Sequence, residues 1–305
     1  MDLQLTGKRA IVSGGGKGIG LAITRVLLAE GVDVAISGRS AGITEVAAQL
    51  AAESGRRVIG IQADTGDDDS VRAMVARAVA ELGGVDILVN TAAKAWTADM
   101  NHVGIDTSDE LVRSHFEIKV LGYLRTARAV APHMIAQGWG RIINVSGLGA
   151  RWAGSVTQTI RNVGVSALTK NLADELGPQG INVTIVHPAA TRTEAMTARL
   201  TAQAAAEGTT VDALEAKLAT NSIHRLIDAT EVADVVVFLA SPRSIAITGD
   251  AIAVGGGVPG QAGMNRIARI AAFIPGASPP EVITMIFFIM GSSIRVDRAI
   301  PVSLT

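Results

Sequence analysis

Short apolar segments alternate along the chain with longer segments in which apolar residues recur at the spacing of one helix face. Residues Gly18–Glu30 and Ser70–Leu82 are two of the helical segments. The apolar segments are rich in Val, Ile and Ala, and six of them read RAIVSG, DVAISG, RVIGIQAD, VDILVNTAA, GRIINVSG and INVTIVHP. Strands that are apolar throughout are typical of a parallel sheet whose faces are both covered by helices. The pattern therefore predicts an α/β fold, a doubly wound parallel sheet of about seven strands with helices on both faces.

The alternation stops near residue 258. Met264–Thr305 contains several Pro and Gly residues and no clear strand and helix unit. We therefore expect one domain in residues 1–258 and a C-terminal extension of unknown role in residues 259–305. The extension is either a small lid or interface arm, or a tail that takes no part in the chemistry.

Composition narrows the possible partners. Lys and Arg number 27 against 28 Asp and Glu, so the net charge of -1 gives no reason to expect a nucleic acid or an anionic membrane as partner. The chain has no cysteine, which excludes disulfides, thiolate nucleophiles and Cys-based zinc sites. The longest apolar run near the C-terminus, Val282–Gly291, has about half of the ~20 residues that a membrane helix needs, and no secretory signal is visible. We expect a soluble, cytoplasmic protein that acts on a small molecule.

A glycine-rich turn follows the first predicted strand. Arg9–Ser13 leads directly into Gly14, Gly18 and Gly20, and an amphipathic helix begins there. The pyrophosphate of a dinucleotide needs a turn without obstructing side chains and a helix N-terminus whose free N–H groups face the anion. Glycine at these three positions meets both needs, so we expect a dinucleotide site here.

The end of the second predicted strand indicates which dinucleotide binds. No acidic residue stands there to hold a ribose 2′-hydroxyl; Arg39 follows instead, and Lys17 lies inside the glycine turn. Two cations near the adenosine ribose favour a 2′-phosphate, which predicts NADP(H) rather than NAD(H). The alternative is that both are ordinary solvated surface cations.

Four further stretches complete a known pattern: QADTGD, DILVNTAA, GRIINVSG and INVTIVHPAATRTEAM. With the glycine turn, they make the chain resemble the short-chain dehydrogenase/reductase family from Leu5 to about Gly257. The resemblance implies a Rossmann fold in which Asp64 holds the adenine amino group, Asn90 steadies the central strand, and Pro188 and Thr193 lie beside the nicotinamide. The expected cofactor-binding residues are together Ser13, Gly14, Lys17, Gly18, Ile19, Gly20, Arg39, Asp64, Thr65, Asn90, Pro188 and Thr193.

The catalytic positions depart from the family. The resemblance implies an asparagine, a serine, a tyrosine and, one helical turn after the tyrosine, a lysine. The asparagine position aligns with Lys119, the tyrosine position with Gln158 and the lysine position with Asn162. For the serine, strict register gives Gly147, while Ser146 stands one residue earlier. The candidate catalytic residues are therefore Lys119, Ser146, Gln158 and Asn162.

Lys119 is the most informative replacement. A partly buried ammonium could have a lowered pKa and donate a proton to a carbonyl, or it could bind a carboxylate. Alternatively, Lys119 fills the space of the missing lysine and pairs with a backbone carbonyl. For Tyr123, the only tyrosine, core or interface packing is the better interpretation. His102 and His115 remain weaker candidates for a proton donor.

The five histidines have no spacing typical of a metal site, and we expect none. Our first functional hypothesis is an NADP(H)-dependent oxidoreductase with a non-standard active site. The alternatives are a cofactor-binding sensor, scaffold or partner subunit without redox turnover, and a non-redox dehydratase or isomerase. The resemblance also implies a homodimer or homotetramer built on helices at about Asp109–Gln137 and Gly154–Gly177, and a substrate pocket lined by Glu194–Asn221.

Overall fold

The computed structural model describes residues 1–94, 104–151 and 155–258. Its strands are β1 Arg9–Ser13, β2 Asp33–Gly38, β3 Val58–Gln62, β4 Ile87–Asn90, β5 Gly140–Val145, β6 Ile181–Pro188, β7 Thr191–Arg192, β8 Ile227–Asp228 and β9 Ala251–Val254. The main sheet has seven strands in the order β3-β2-β1-β4-β5-β6-β9, and every neighbouring pair is parallel. This confirms the predicted doubly wound sheet. The two-residue strands β7 and β8 pair separately.

Helices connect successive strands of the main sheet. They are α1 Gly18–Ala29, α2 Ile43–Ser54, α3 Asp68–Leu82, α4 Asp109–Phe116, α5 Gly122–Gln137, α6 Val156–Leu176, α7 Glu194–Glu207, α8 Val211–Leu218 and α9 Ala229–Ala240. Caps explain several of their starts. The Asp67 side chain accepts from the Ser70 backbone N–H before α3, and Asp228 and Glu231 form a capping box at α9.

Two separate cores cover the two faces of the sheet. Neighbouring strand residues point to opposite faces, so Val12 packs in the core formed with α1, α2 and α9, while Ile11 packs in the core formed with α3, α5 and α6. Both side chains are completely buried. Continuous apolar strands are therefore required at the centre of the sheet, because strands such as β1 and β4 have no face left for solvent.

The helical segment predicted at Asp109–Gln137 is not a regular α-helix throughout. A π-helical turn, Glu117–Leu121, joins α4 to α5. Such turns insert one extra residue into a helix and are frequent at functional sites. Lys119 lies in the middle of this turn.

Some expectations fall on residues outside the described ranges. His102, residue 154 and the whole extension of residues 259–305 are among them, so the boundary between residues 1–258 and 259–305 stays a prediction. Within the described ranges, no helix is both long and apolar enough to cross a membrane.

Candidate cofactor and catalytic site

The expected cofactor residues lie at the carboxyl edge of the main sheet. Ser13 ends β1, Asn90 ends β4 and Pro188 ends β6. Arg39 directly follows β2, and Asp64 and Thr65 come shortly after β3. The order of the strands reverses between β1 and β4, and ligands of doubly wound sheets bind outside the carboxyl ends at such a switch point.

Two glycines of the turn stand where a side chain has no room. Gly14 has φ +75, and a Cβ atom there would lie 2.9 Å from Thr91 Oγ1. A Cβ on Gly20 would overlap the carbonyl oxygen of Gly14. Lys17 occupies the N-cap position of α1, but its side chain makes no capping hydrogen bond. The turn is therefore a cradle of backbone groups at a helix N-terminus, as a pyrophosphate requires.

A carboxylate lies at this helix N-terminus. Glu194, the first residue of α7, accepts a hydrogen bond from the backbone N–H of Gly18 through Oε2 at 3.1 Å. The adjacent Thr193 is also close, since a Cβ on Gly18 would lie 3.4 Å from Thr193 Cγ2. Sequence reasoning missed Glu194, although its position directly after Thr193 was a signal.

Asn90 belongs to a chain of buried polar side chains that crosses the sheet. Its Oδ1 accepts from Ser13 Oγ at 3.2 Å and from Thr126 Oγ1 at 2.8 Å. Its Nδ2 donates to Asn144 Oδ1 at 3.0 Å, and Asn144 Nδ2 donates to Thr169 Oγ1 at 2.9 Å. These bonds fit the expectation that Asn90 steadies the central strand.

Arg39 lines a cavity of about 380 Å³ beside the ends of β2 and β4. Lys94 and Arg113 also line it, together with two glutamates, Glu110 and Glu117. Lys17 is exposed and is not among the lining residues. Lys94 is a cation that sequence reasoning missed, although it follows Thr91-Ala92-Ala93 directly.

Asp64 and Thr65 are held in the loop after β3. The Asp64 Oδ1 atom accepts from the Gly66 backbone N–H at 2.9 Å, and the Asp64 backbone N–H donates to Ser70 Oγ at 3.0 Å. Thr65 Oγ1 lies 3.5 Å from the carbonyl oxygen of Ile118, which also lines the cavity. The half-buried Ile19 lies in the first turn of α1.

Lys119 is only 5% exposed, and its Nζ donates to the carbonyl oxygen of Ser146 at 3.0 Å. Burial, and to a smaller extent the nearby Arg161, lowers the pKa of the Lys119 amine well below its ordinary value of 10.5. Both of the sequence alternatives for Lys119 stay predictions. The amine pairs with a backbone carbonyl, and its protonation equilibrium is also strongly shifted.

Ser146 and Asn162 form a buried pair. Ser146 Oγ donates to Asn162 Oδ1 at 3.1 Å, and Asn162 is 3% exposed. Gly147 lies against the same amide, because a Cβ there would be 3.1 Å from Asn162 Nδ2. Gln158 is half-buried in the first turn of α6, where its backbone N–H lies 3.4 Å from the N-cap oxygen Ser155 Oγ. The structure thus brings Lys119, Ser146 and Asn162 together.

Other titratable side chains near this site make contacts within the protein. Tyr123 is fully buried and donates to the carbonyl oxygen of Val145 at 3.0 Å, and burial raises its pKa. His115 is buried, with its Nδ1 2.6 Å from Arg161 Nη1. Burial lowers the pKa of Arg161. His187 accepts from the backbone N–H of Gly147 through Nδ1 at 3.3 Å.

Among the described residues, no group of His, Asp and Glu side chains could hold a metal ion.

The chain is similar to several known proteins. A family model described as Enoyl-(Acyl carrier protein) reductase matches residues 14–259. Short-chain reductase protein NovJ of Streptomyces niveus is 33% identical over 251 residues, covering 82% of this chain and 93% of that protein. Oxidoreductase UcpA of Salmonella typhimurium is 32% identical over 261 residues, covering 83% and 95%.

A solved structure is also similar. The crystal structure of L-sorbose reductase from Gluconobacter frateurii, complexed with NADPH and L-sorbose, matches with a TM-score of 0.80 and 28% identity, covering 85% of this chain and 98% of that chain. The strand order, the glycine cradle and these matches lead to one conclusion. The chain belongs to the short-chain dehydrogenase/reductase family.

Proposed function

We propose that the protein is an NADP(H)-dependent oxidoreductase that moves a hydride between nicotinamide and a carbonyl or alcohol carbon, with a non-standard set of catalytic residues. The observation that carries the proposal is the backbone cradle from Gly14 to Gly20 at the switch point of the sheet. A Cβ at Gly20 would overlap the Gly14 carbonyl oxygen, so glycine is needed there for the helix N-terminus to pack against the turn. The bound cofactor would supply the hydride.

Arg39 supports NADP(H) rather than NAD(H). It lines the 380 Å³ cavity together with Lys94 and Arg113, so that three cations stand against the two carboxylates of Glu110 and Glu117, and β2 ends without an acidic residue. A 2′-phosphate is stabilised by such cations, whereas a 2′-hydroxyl is held by an acid. The similarity to a reductase complexed with NADPH is consistent with this preference.

Lys119 is the residue best suited to exchange a proton. Burial lowers the pKa of its amine well below the ordinary value, and a lysine pKa lowered by burial is one way in which enzymes adapt this group for general acid and base catalysis. Ser146, bonded to Asn162, would orient the substrate oxygen, and Gln158 can donate a hydrogen bond but not a proton. Loss of a matched acid or base costs about 10²–10⁴ in rate, so we expect slow turnover of ordinary ketones.

The protein is titrated with NADPH and with NADH, and nicotinamide fluorescence measures binding. A panel of ketones and aldehydes is then added to test for turnover. We expect tighter binding of NADPH and substrate-dependent oxidation. Lys119→Ala should abolish turnover and leave NADPH binding intact. Unchanged turnover would remove Lys119 from the mechanism, and absence of binding would contradict the whole proposal.

A second candidate function is cofactor binding without redox turnover, in a sensor, scaffold or partner subunit. It is favoured by one observation, namely that the Lys119 amine is nearly buried and already bonded to Ser146 O. Tight NADPH binding with no oxidation across the substrate panel would support it.

We also propose that copies of the chain pair through α6 in a homodimer or homotetramer. Ile160 and Val163 lie one turn apart on this helix and are 43% and 46% exposed. Light scattering of the purified protein, and of an Ile160→Glu variant, tests this assembly. Location in the cytoplasm stays an expectation.

A further inference from the structure

The ladder between β5 and β6 ends with a contact made by a side chain. Val145 pairs with Val186, and the backbone N–H of Ser146 donates to Val186 O at 2.8 Å. The next N–H along the chain, that of Gly147, donates at 3.3 Å to Nδ1 of His187. The imidazole therefore extends the ladder by one hydrogen bond, into the segment where Ser146 and Gly147 lie.

This contact defines the state of the imidazole. A backbone N–H can only donate, so Nδ1 of His187 must carry a lone pair and the ring proton must lie on Nε2. His187 is 2% exposed, and the groups that disfavour its charged form include Arg151 and Lys119. A neutral acceptor is the form that these surroundings stabilise.

The other side of the ring leads back to Ser146. Nε2 of His187 faces Ser166 Oγ at 3.5 Å, a long contact, and Ser166 Oγ donates to Asn162 O at 3.1 Å. The side chain of Asn162 in turn accepts from Ser146 Oγ at 3.1 Å. His187 thus belongs to a closed series of contacts that begins at Gly147 and ends at Ser146.

Side chains hold three backbone groups of two consecutive peptide units in this segment, the Val145–Ser146 unit and the Ser146–Gly147 unit. Tyr123 donates to Val145 O, Lys119 donates to Ser146 O, and His187 accepts from Gly147 N. The first two side chains come from the π-helical turn and α5, whereas His187 comes from the sheet. It is the member of the three that holds a backbone donor rather than a carbonyl.

We propose that His187 is a positioning residue that fixes the Gly147 peptide and thereby orients the Ser146 hydroxyl for the substrate oxygen. This inference rests on the proposed function, since it assigns an active-site role to Ser146. It makes no claim that His187 touches the substrate.

The first experiment measures the positioning itself and needs no turnover. In the full-length protein with ¹⁵N-labelled histidine, NMR should show His187 protonated on Nε2 and unprotonated on Nδ1. In His187→Leu, amide exchange at Gly147 should rise by about ten-fold or more, the factor that corresponds to one ordinary hydrogen bond. A proton on Nδ1, or unchanged exchange at Gly147, would overturn the proposal even in a protein that proves inactive.

The second experiment measures the catalytic consequence. His187→Leu should lower kcat by about ten-fold or more, the factor expected from a lost orienting hydrogen bond, without a matching change in NADPH affinity. His187→Asn places an acceptor oxygen near the Nδ1 position and should recover most of the lost rate. His133→Leu, on the exposed side of α5, is the control and should leave kcat unchanged.

These outcomes separate the two hypotheses. If NADPH binds but nothing is reduced, the proposed function fails, while exchange at Gly147 still decides whether His187 positions the segment. If turnover occurs and His187→Leu equals the wild type, the positioning role fails and the oxidoreductase remains. If His187→Leu does not fold, two measurements still decide between the same outcomes. One is the imidazole spectrum of the wild type, which shows which ring nitrogen carries the proton. The other is the behaviour of His187→Asn.

Discussion

The carboxylate of Glu194 accepts a hydrogen bond from the backbone N–H of Gly18, although the two residues are 176 positions apart in the sequence. It therefore lies at the N-terminus of α1, where the helix dipole stabilises negative charge. α1 has no acidic residue of its own in its first turn, and its N-cap Lys17 makes no side-chain cap. Glu194 thus places a negative charge at the helix N-terminus where the pyrophosphate is proposed to bind.

Glu194→Gln should therefore tighten NADPH binding. The variant removes a negative charge that competes with phosphate, and charges at helix termini contribute about 0.3–1 kcal/mol, so we expect a two- to five-fold lower Kd at low salt. Nicotinamide fluorescence measures it. Glu207→Gln, at the other end of α7, is the control and should not change the Kd. Weaker NADPH binding by Glu194→Gln would mean that Glu194 supports the cofactor rather than competing with it.

Lys119 and Asn162 should be energetically coupled, because both are buried and both bond to Ser146. Asn162→Lys would bury a second amine near the first and should destabilise the fold by about 2 kcal/mol or more, whereas Lys119→Asn removes the first. We expect the double variant K119N/N162K to be more stable than the sum of the single effects allows. Urea unfolding of the four proteins gives the coupling free energy, and additivity within about 0.5 kcal/mol would show that the two sites are independent.

The free energy of unfolding should fall as the pH is lowered from 6.5 towards 4 because of His187. Burial, with a smaller effect of Arg151, lowers the pKa of His187 in the folded protein to about 4, below the ordinary 6.5. Between these values the unfolded chain binds more protons than the folded one, so lowering the pH favours unfolding. One pKa unit corresponds to about 1.4 kcal/mol, so the loss is on the order of 2–3 kcal/mol.

Chemical denaturation at a series of pH values measures this loss. In His187→Asn the part due to this histidine should disappear, leaving only the slope from the other groups. A slope that is the same in the variant and the wild type would contradict the neutral, buried imidazole.

Gly20→Ala should prevent a normal cradle from forming. The added methyl group would overlap the carbonyl oxygen of Gly14, which is backbone and cannot rotate away. We expect NADPH binding to be lost and stability to drop by about 1–3 kcal/mol, as overpacked sites do. Gly177→Ala is the matched control: φ is -55 there and nothing lies near the new methyl group, so stability should not fall. Normal NADPH binding by Gly20→Ala would show that the turn is not the cofactor cradle.

Much of the fold could be read from the sequence, because burial on both faces forces continuous apolar strands such as Ile87–Asn90. The pattern could not reveal β7 and β8, since strands of two residues are too short to have a period. It also could not reveal the contacts of His187 or Glu194. Those depend on the path of loops that bring together residues far apart in the chain, and the sequence pattern indicates only how buried each residue is.

The candidate site could also be predicted only in part from the sequence. The glycine spacing predicted the cradle because steric exclusion acts locally, within Gly14–Gly20. The position of Lys119 opposite Ser146 required the packing of two helices against β5, and the π-helical turn at Glu117–Leu121 has no periodic signature in the sequence. Local constraints were therefore predictable, whereas the lowered pKa of Lys119 depends on burial by the tertiary structure.

The row of buried polar side chains across the sheet also bears on how the strands find their alignment. Ser13 pairs in register with Asn90, and Asn90 with Asn144. If any of these strands slid by one residue, its polar side chain would face an apolar core without a partner, at a cost of about 1–3 kcal/mol for each unpaired group. Apolar strands of Val and Ile tolerate such slippage well, since one branched side chain resembles the next. The three polar residues thus disfavour misaligned sheets during folding. They also fix the relative positions of the strand ends at the edge where the cofactor is proposed to bind.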